Sequence, residues 1–251
     1  DAVFISERAK WRAAERFTKR IDDFYFINET RGWATVGTGE SSEATAIYST
    51  ADGGFNWGLQ YSGNWRLVDI MFADENHGWA TGVDFENSPL TGVILYTEDG
   101  GQNWEEQFVI EGSCACSTPS ITVLNRDEVW VSGFDDEDFL AIENDGLLLQ
   151  TNNEGQTWEE IDIYEENQED RVIFSPPAFS DSNTAWITGL PESFKTNDGG
   201  HSWNQTYQDY RMKDFVNSSL GWGVRGTNAN IFQTVDGGNS WLKISSIKDF
   251  V

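Results

Sequence analysis

Five carboxyl or carboxamide side chains recur at the third position of an eight-residue motif, and a repeated carboxyl group is the first candidate for chemistry. The motif has the form Thr-x-Asp-Gly-Gly-x-x-Trp, and its third and last positions hold Asp52, Asp99, Asn153, Asp198, Asp236 and Trp57, Trp104, Trp158, Trp203, Trp241. A residue present in every repeat cannot face a single active site in all of its copies. An Asp or Asn after a strand instead accepts hydrogen bonds from the backbone N–H groups just beyond it. The motif therefore predicts structural turns.

A second set of tryptophans alternates with the first and opens short apolar runs. Its members are Trp33, Trp79, Trp130, Trp186 and Trp222, so that ten of the 12 tryptophans lie on two repeat positions. The third motif positions follow one another at steps of 47, 54, 45 and 38 residues. Each unit contains four short apolar runs between turn residues, and four strands in roughly 45 residues are typical of a β-propeller blade. The sequence predicts an all-β propeller that forms one domain over residues 1–251.

The complete repeats are five in number, and the two ends of the chain contain fragments of a sixth. The repeats span roughly residues 21–62, 66–111, 119–164, 172–209 and 211–246. The tail Ile247–Val251 copies Met212–Val216, and the head resembles a third strand (Val3–Ser6), a turn and a fourth strand near Trp11. We expect residues 1–20 and 247–251 to close the ring as a composite sixth blade, which removes exposed strand edges. Five blades, a piece of a longer chain, and a helix over Lys10–Arg20 are the alternatives.

The repeated motif resembles the Asp-box, or BNR repeat, of sialidases, sortilins, xyloglucanases and related propellers. A longer element, Phe72-Ala73-Asp74-Glu75-Asn76-His77-Gly78-Trp79-Ala80-Thr81-Gly82 followed by the motif ending at Trp104, is similar to the photosystem II stability/assembly factor family. The resemblance covers residues 21–241 in five copies and implies a propeller fold. It says less about function, because Asp-box propellers serve many roles. Family members that assist photosystem assembly present a basic patch to their partner, and the arginine cluster of this sequence is Arg8, Arg12, Arg16 and Arg20.

Catalytic motifs are not evident. A sialidase needs several arginines around a substrate carboxylate, but four of the ten arginines lie within the first twenty residues. The two histidines, His77 and His201, both fall in repeat turns, which argues against a Ser–His nucleophile. Asp and Glu are numerous enough to form a glycosidase pair without a motif. We predict no catalytic residues and keep a glycosidase as the alternative.

Two local clusters could bind metal or form a crosslink. The run Asp135, Asp136, Glu137, Asp138 offers hard oxygen ligands, so weak calcium binding at Asp135, Asp136 and Asp138 is the one cofactor hypothesis, although EF-hand spacing is absent. Cys114 and Cys116 would project to the same side of an extended chain and could form a strained disulfide. They lack a second ligand pair for zinc.

Charge limits the classes of partner. Sixteen Lys and Arg against 42 Asp and Glu give a net charge of −26, which disfavours nucleic acid and anionic lipid. The sequence contains no run of about 20 apolar residues that would span a membrane. The chain begins at Asp1, and we expect a mature exported protein from which a leader has been removed.

The leading hypothesis for function is a non-catalytic exported propeller that acts as a protein-interaction scaffold or assembly factor. Asp135, Asp136, Glu137 and Asp138 are its candidate interaction residues, together with the arginine cluster and Trp65, which lies outside both tryptophan positions. One alternative is a glycan-binding or glycan-hydrolysing propeller that uses Trp65 as a stacking platform. Another is a structural subunit of an extracellular assembly that packs against copies of itself.

Overall fold

The computed structural model describes residues 20–37, 45–84, 91–110, 119–134, 146–163, 172–173, 175–190, 193–206, 211–225 and 230–246. These residues form strands and turns without a helix. Most strands belong to five four-stranded antiparallel sheets, so the predicted all-β propeller of four-stranded blades is confirmed. The composite sixth blade and the helical alternative concern residues outside the described ranges, except for Arg20, which begins the first strand.

Each blade is an antiparallel meander, in which every strand pairs with the strand of that sheet that precedes it and the one that follows it in the chain. The strands are β1 (Arg20–Phe26), β2 (Gly32–Gly37), β3 (Thr45–Thr50) and β4 (Gly58–Gly63) in blade 1; β5 (Arg66–Phe72), β6 (Gly78–Asp84), β7 (Thr91–Thr97) and β8 (Glu105–Ile110) in blade 2; β9 (Ser120–Val123), β10 (Val129–Phe134), β11 (Gly146–Thr151) and β12 (Glu159–Glu160) in blade 3; β14 (Ala178–Phe179), β15 (Ala185–Ile187), β17 (Ser193–Thr196) and β18 (Asn204–Thr206) in blade 4; and β19 (Arg211–Phe215), β20 (Gly221–Arg225), β21 (Asn230–Thr234) and β22 (Leu242–Ser246) in blade 5. The short strands β13 (Val172–Ile173) and β16 (Gly189–Leu190) form a separate pair.

The second and third strands of a blade carry its core. In blade 2, β6 and β7 are almost wholly buried, whereas the fourth strand β8 has a largely exposed or half-buried pattern, as β4 has in blade 1. The first strand alternates, and β5 buries Leu67, Ile70 and Phe72. The fourth strand is therefore the outer edge of the blade, and the first strand faces the neighbouring first strands.

The glycine before the first tryptophan of a blade makes room for an aromatic ring. Phe72 on β5 lies opposite Gly78 on β6, and a Cβ atom at Gly78 would overlap the Phe72 ring. The same pairing occurs twice more: Phe26 with Gly32 and Phe215 with Gly221. Blade 3 has Val123 in place of the phenylalanine and Val129 in place of the glycine, and the two valines lie opposite each other. This contact explains why Phe and Gly-Trp recur at a fixed spacing.

The Asp-box turn joins the third and fourth strands through side-chain bonds. In blade 2, the Thr97 hydroxyl donates to Asp99 Oδ1 at 3.0 Å and accepts the Gly101 N–H at 2.9 Å. Asp99 Oδ1 also accepts the Asn103 N–H at 2.9 Å, and the Asn103 side chain donates to Asp99 Oδ2 at 2.6 Å. Equivalent threonine and backbone bonds surround the other third positions, which are Asp52, Asn153, Asp198 and Asp236. These groups are occupied in fixing the hairpin.

Blade 3 departs from the Asp-box motif at the position after Asn153, a difference that the sequence analysis did not predict to matter. Its box reads Asn153-Glu154-Gly155, and Glu154 adopts a φ of 59°, where the other boxes have glycine at φ of 67–75°. A side chain in this left-handed region costs energy. Glu154 forms a salt bridge with Arg126, and its backbone carbonyl accepts the Gln107 side chain.

Tryptophans at the start of the second strands link each blade to the next. The Trp33 ring stacks on Phe72 of blade 2 at 3.5 Å between centroids, and its Nε1 donates to Gly100 O in the blade 2 box at 3.0 Å. Trp186 stacks on Phe215 of blade 5 at 4.9 Å and lies against Gly238, where a Cβ atom would come within 2.6 Å of the indole. The second glycine of the box therefore allows both a positive φ and the approach of the preceding blade.

Candidate functional site

A groove of about 340 Å³ crosses the first strands of four consecutive blades, and we call it the first-strand groove. Met71 of blade 2, residues 120–124 of blade 3, residues 175–179 of blade 4, and Asp214 with Phe215 of blade 5 line it. Its walls are apolar side chains and serine or threonine hydroxyls, and Asp214 is the exposed carboxylate of the lining. Such a surface can hold an extended chain that carries a cationic group.

Two prolines contribute to the shape of this groove. Pro176 and Pro177 precede the first strand of blade 4, and both are buried. Proline has no N–H to donate to a sheet, so a strand that contains it loses ladder bonds. The paired part of β14 is accordingly limited to Ala178 and Phe179. The groove therefore lies where the first strand of blade 4 is shorter than that of blade 2.

Two carboxyl groups connect the first strands of blades 1, 2 and 3. Asp23 Oδ2 accepts the Ile70 N–H at 3.1 Å, which joins β1 to β5. Asp69 Oδ2 accepts the Ile121 N–H at 3.0 Å and the Ser120 hydroxyl at 2.7 Å, which joins β5 to β9. The Asp23 carboxyl lies near enough to Asp69 to affect the pKa of Asp69. We call this arrangement the Asp23–Asp69 pair.

Burial of the Asp69 carboxyl raises its pKa to about 7, and the adjacent Asp23 carboxyl raises it further against the lowering effect of the Ser120 hydroxyl. Desolvation disfavours the charged form, and a like charge at contact distance adds to that penalty. A proton on Asp69 removes the repulsion. The Asp23–Asp69 pair therefore joins neighbouring first strands through its bonds to Ile70 and Ile121, with Asp69 taking up a proton near neutral pH.

The geometry of this pair does not suit glycoside hydrolysis. Retaining enzymes hold their two carboxyl groups about 5 Å apart, and inverting enzymes hold them farther apart, so that a sugar or a water fits between them. In Asp23 and Asp69, an oxygen of each carboxyl group is already bonded to a backbone N–H of the next blade. These bonds commit the two groups to joining blades.

The predicted arginine cluster is represented in the structure by Arg20. Its guanidinium bonds Asp22 Oδ1, and Arg66 Nη2 of blade 2 lies 3.9 Å from the same oxygen. Arg8, Arg12 and Arg16 lie outside the described residues. Asp22 on the first strand of blade 1 thus lies between Arg20 and Arg66 of blade 2.

Trp65 has a defined place in the core. The indole is half-buried, packs against the cluster that contains Trp33, Ile47 and Leu67, and donates from Nε1 to Glu106 Oε1 at 2.8 Å. A ring held in this way has less free face for stacking on a sugar than an exposed one.

The histidines occupy turns. His77 Nδ1 lies 2.8 Å from Asp74 Oδ2, and His201 Nδ1 lies 2.8 Å from the backbone oxygen of Asp198. Asp74 also accepts the N–H groups of Asn76 and His77, which fixes the turn before Gly78. Neither histidine has a serine hydroxyl among its recorded hydrogen-bond partners.

The remaining candidates fall outside the described residues: Asp135, Asp136, Glu137, Asp138, Cys114 and Cys116. Within the described ranges, no three His, Cys, Asp or Glu side chains come together to hold a metal ion. The calcium and disulfide hypotheses therefore stay predictions.

Sequence reasoning missed the Asp23–Asp69 pair and the first-strand groove. One signal for the pair was present, because Asp23 and Asp69 each precede the first tryptophan of their blade by ten residues. Blade 3 has Ser120 at that position, and its hydroxyl is the group that donates to Asp69. The groove had no such signal, since its lining comes from four blades.

Comparison with known proteins finds a family model that resembles part of this chain. Residues 59–166 match the family model described as Photosynthesis system II assembly factor YCF48. This chain is an Asp-box propeller that resembles these assembly factors. The match covers blade 2, blade 3 and the end of blade 1, which includes Asp69 and part of the first-strand groove. No curated protein sequence matches the chain.

Solved structures share the fold of this Asp-box propeller at low sequence identity. The GH74 enzyme of Niastella koreensis is 12% identical, and the match covers 89% of this chain and 38% of that chain with a TM-score of 0.60. The α-L-arabinofuranosidase Arb93A of Fusarium graminearum is 13% identical over 85% of this chain and 77% of that chain, with a TM-score of 0.51. A structure of YCF48 bound to D1 peptide is 17% identical over 90% and 82% of the two chains, with a TM-score of 0.43. The chain spans little more than a third of the GH74 enzyme.

The described residues of this Asp-box propeller contain no helix that is long and apolar enough to cross a membrane.

Proposed function

We propose that this protein is a non-catalytic, exported propeller that acts as a protein-interaction scaffold or assembly factor, and that it binds its partner in the first-strand groove. The observation that carries the proposal is the lining of this groove, where apolar and hydroxyl side chains from four blades occur together with the exposed Asp214. The match of residues 59–166 to a family of assembly factors supports the same reading.

The chemistry of the partner follows from charge. A net charge of −26 on the chain produces a negative field that attracts cationic surfaces and repels anionic ones. Asp214 is exposed within the groove, so it can pair with a Lys or Arg of a bound segment. The partner is therefore an extended protein segment with a basic residue among apolar ones.

Catalysis on glycans is less well supported. The likeness to the GH74 and arabinofuranosidase structures is a likeness of fold, and such folds host many functions. The half-buried carboxyl groups of the Asp23–Asp69 pair accept backbone N–H groups of the neighbouring blades. A glycosidase would have to use carboxylates other than these.

Affinity capture from native membranes and culture supernatant, with paired charge-reversal variants, tests the proposal. Asp214→Lys should reduce capture of the partner about tenfold, which corresponds to the ~1.4 kcal/mol expected for the loss of a charged contact. Glu98→Lys, an equal change of charge at an exposed position of the blade 2 box, should leave capture unchanged within about twofold. Equal losses for the two variants, or turnover of xyloglucan or arabinan by the wild-type protein, would contradict the proposal.

A further inference from the structure

In two successive seams, an aspartate on the first strand of one blade holds the first strand of the next blade. A seam is the contact between neighbouring blades. Asp23 of blade 1 accepts the Ile70 N–H of blade 2 at 3.1 Å, and Asp69 of blade 2 accepts the Ile121 N–H of blade 3 at 3.0 Å. Each acceptor lies ten residues, and each donor nine residues, before the first tryptophan of its own blade. We call this repeated bond the strand tie.

The seam between blades 3 and 4 has different residues at both positions of the strand tie. By the same spacing, Ser120 holds the acceptor position of blade 3, and Pro177 holds the donor position of blade 4. Proline has no N–H to donate. Serine carries its oxygen directly on Cβ and reaches less far than aspartate does, and the Ser120 hydroxyl donates to Asp69 of blade 2 at 2.7 Å. Among the described residues of this seam, the strand tie is therefore excluded by the chemistry of its two positions.

The first-strand groove lies at this untied seam. Ser120 and Pro177 both belong to its lining, where Ser120 is half-buried and Pro177 is buried. In the preceding seam, the strand tie is accompanied by a second bond, in which Met71 Sδ accepts the Val123 N–H at 3.2 Å. Such bonds draw two first strands together, whereas a space for a ligand needs strands that stay apart. The groove is therefore a consequence of Ser120 and Pro177 as well as of the short first strand of blade 4.

The untied seam offers hydrogen-bonding groups to a ligand. A serine hydroxyl has one hydrogen to donate and two lone pairs that can accept. The Ser120 hydrogen is used on Asp69, so the Ser120 oxygen can accept an N–H from a bound molecule. An extended segment presents such N–H groups along its backbone, and a basic side chain on it can pair with the exposed Asp214 of the same lining. Such a segment supplies the donor that Pro177 lacks.

We propose that Ser120 and Pro177 determine binding in the first-strand groove, because they keep the seam between blades 3 and 4 open to an extended basic segment of the partner. The segment donates a backbone N–H to the Ser120 oxygen in place of the missing strand tie. This inference rests on the proposed function, since its occupant is the partner segment described there. A second copy of this chain is a poorer occupant, because two chains of net charge −26 repel each other.

Restoring the strand tie tests whether these two residues keep the seam open. The double variant Ser120→Asp/Pro177→Ile gives the seam an acceptor and a donor like those of Asp69 and Ile121. Ser120→Asp and Pro177→Ile alone are the matched controls, because each supplies only one of the two groups. In chemical denaturation, the folding equilibrium constant of the double variant should exceed the value expected from the two single variants by about tenfold, as for a hydrogen bond to a charged group. Independent effects of the two substitutions would overturn the proposal.

Peptide binding tests whether the open seam is used. The probes are short synthetic peptides with one lysine among valine and threonine residues, and fluorescence anisotropy measures their affinity for each variant. The double variant should bind the best of these peptides about tenfold more weakly than the wild type does, and each single variant should stay within about threefold. Ser120→Ala removes the accepting oxygen and should weaken binding about fivefold, as expected for one neutral hydrogen bond.

The outcomes separate this inference from the proposed function. A peptide that loses affinity with Asp214→Lys but binds the double variant as well as the wild type overturns the inference and leaves the proposed function in place. A wild type that binds none of the lysine peptides contradicts both. A wild-type dimer in sedimentation that the double variant no longer forms assigns the groove to a second copy of the chain and also overturns the inference.

Discussion

The Asp-box hairpins and the first strands of the blades follow opposite rules. The hairpins repeat one set of bonds in all five blades, from Thr50 and Asp52 to Thr234 and Asp236. The first strands differ at equivalent positions, which hold Tyr25, Met71, Thr122, Ala178 and Asp214 opposite the first tryptophans. A feature that repeats without change serves the construction of every blade. Recognition of a particular partner needs the surface that varies, which is why the first-strand groove is the better candidate.

The two regions also differ in how protons affect them. Hydrogen bonds from Ser202 and Thr196 to Asp198 lower its pKa to about 2, and bonds from Ser240 and Thr234 lower that of Asp236 to about 2. Burial and Asp23 raise the pKa of Asp69 to about 7. Solvated carboxylates that accept hydrogen bonds favour the charged form, whereas desolvation beside a second carboxyl group favours the protonated form. The ionised box carboxylates therefore stabilise the fold at neutral pH and lose this effect as the pH falls toward 2. Protonated Asp69 stabilises the fold at low pH and loses this effect as the pH rises through 7.

The largest effect should come from breaking the seam between blades 1 and 2. Phe72→Ala removes a buried ring that stacks on Trp33 at 3.5 Å, and we expect the free energy of unfolding to fall by about 3–5 kcal/mol. Chemical denaturation measures this change. The matched variant Phe26→Ala, at the equivalent and more exposed position, should cost well under half as much. Equal costs would show that the first strand of blade 1 is as well covered as that of blade 2.

The next effect is the pH dependence of the Asp23–Asp69 pair. The folded pKa of Asp69 exceeds its unfolded value of 3.8, so the folded protein holds more protons between about pH 4 and pH 7. The contribution of this group to stability is complete below pH 4 and is lost as pH rises through 7. Asp69→Asn keeps an acceptor for Ile121 N–H and offers Asp23 an N–H donor. We expect the variant to match the wild type at pH 5 and to exceed it at pH 8 by ~2 kcal/mol.

Denaturation of the wild type and of Asp69→Asn at several pH values measures this difference. Asp23→Asn is the companion variant, because it too replaces one of the two carboxyl groups and removes the repulsion. Parallel stability profiles for the wild type and both variants between pH 5 and pH 8 would mean that the pKa of Asp69 is not raised in the folded protein.

A smaller gain is expected at the irregular box of blade 3. Glu154→Gly removes a side chain from a φ of 59° and restores the glycine found in the other boxes. We expect stability to rise by about 0.4–1 kcal/mol, because relief of the left-handed strain outweighs loss of a surface salt bridge to Arg126. Thermal unfolding measures it. Arg126→Ala serves as the control, because it removes the salt bridge and leaves Glu154 in place. If Arg126→Ala lowers the stability by more than Glu154→Gly raises it, the salt bridge outweighs the backbone strain.

The smallest change is expected for Asp198→Asn at neutral pH. Asn153 already makes the box bonds with an amide, since its Oδ1 accepts the Thr157 N–H at 3.0 Å and its Nδ2 donates to the Thr157 hydroxyl at 2.9 Å. The midpoint of unfolding should stay nearly constant at pH 7. The folded pKa of Asp198 lies below its unfolded value, so the wild type loses this contribution as pH falls from about 4 toward 2, and the variant does not. A large loss at pH 7 would mean that the charge itself matters.

The sequence allowed the fold to be predicted because its signals are local. Gly-Trp, the aromatic residue before it and the Asp-box lie within one unit, and their alternation specifies four strands in each blade. Glu154 was overlooked because the Thr, Asn and Trp around it preserve the motif. The Asp23–Asp69 pair joins residues 46 positions apart on different blades, and the groove joins residues from Met71 to Phe215. Contacts of that kind depend on how blades are placed beside each other, which no pattern within a single repeat records.

The dependence of Trp33 on the following blade has a consequence for synthesis on the ribosome. Trp33 needs Phe72, 39 residues later, for its stack and Gly100, 67 residues later, for its hydrogen bond. At the usual 5–20 residues per second, the indole of a newly made blade waits roughly 3–13 seconds for its second partner. Each new blade covers the first tryptophan of the blade before it and adds a first tryptophan of its own that is still uncovered. The nascent chain therefore presents about one uncovered indole ring to chaperones at any moment, however many blades have already been made.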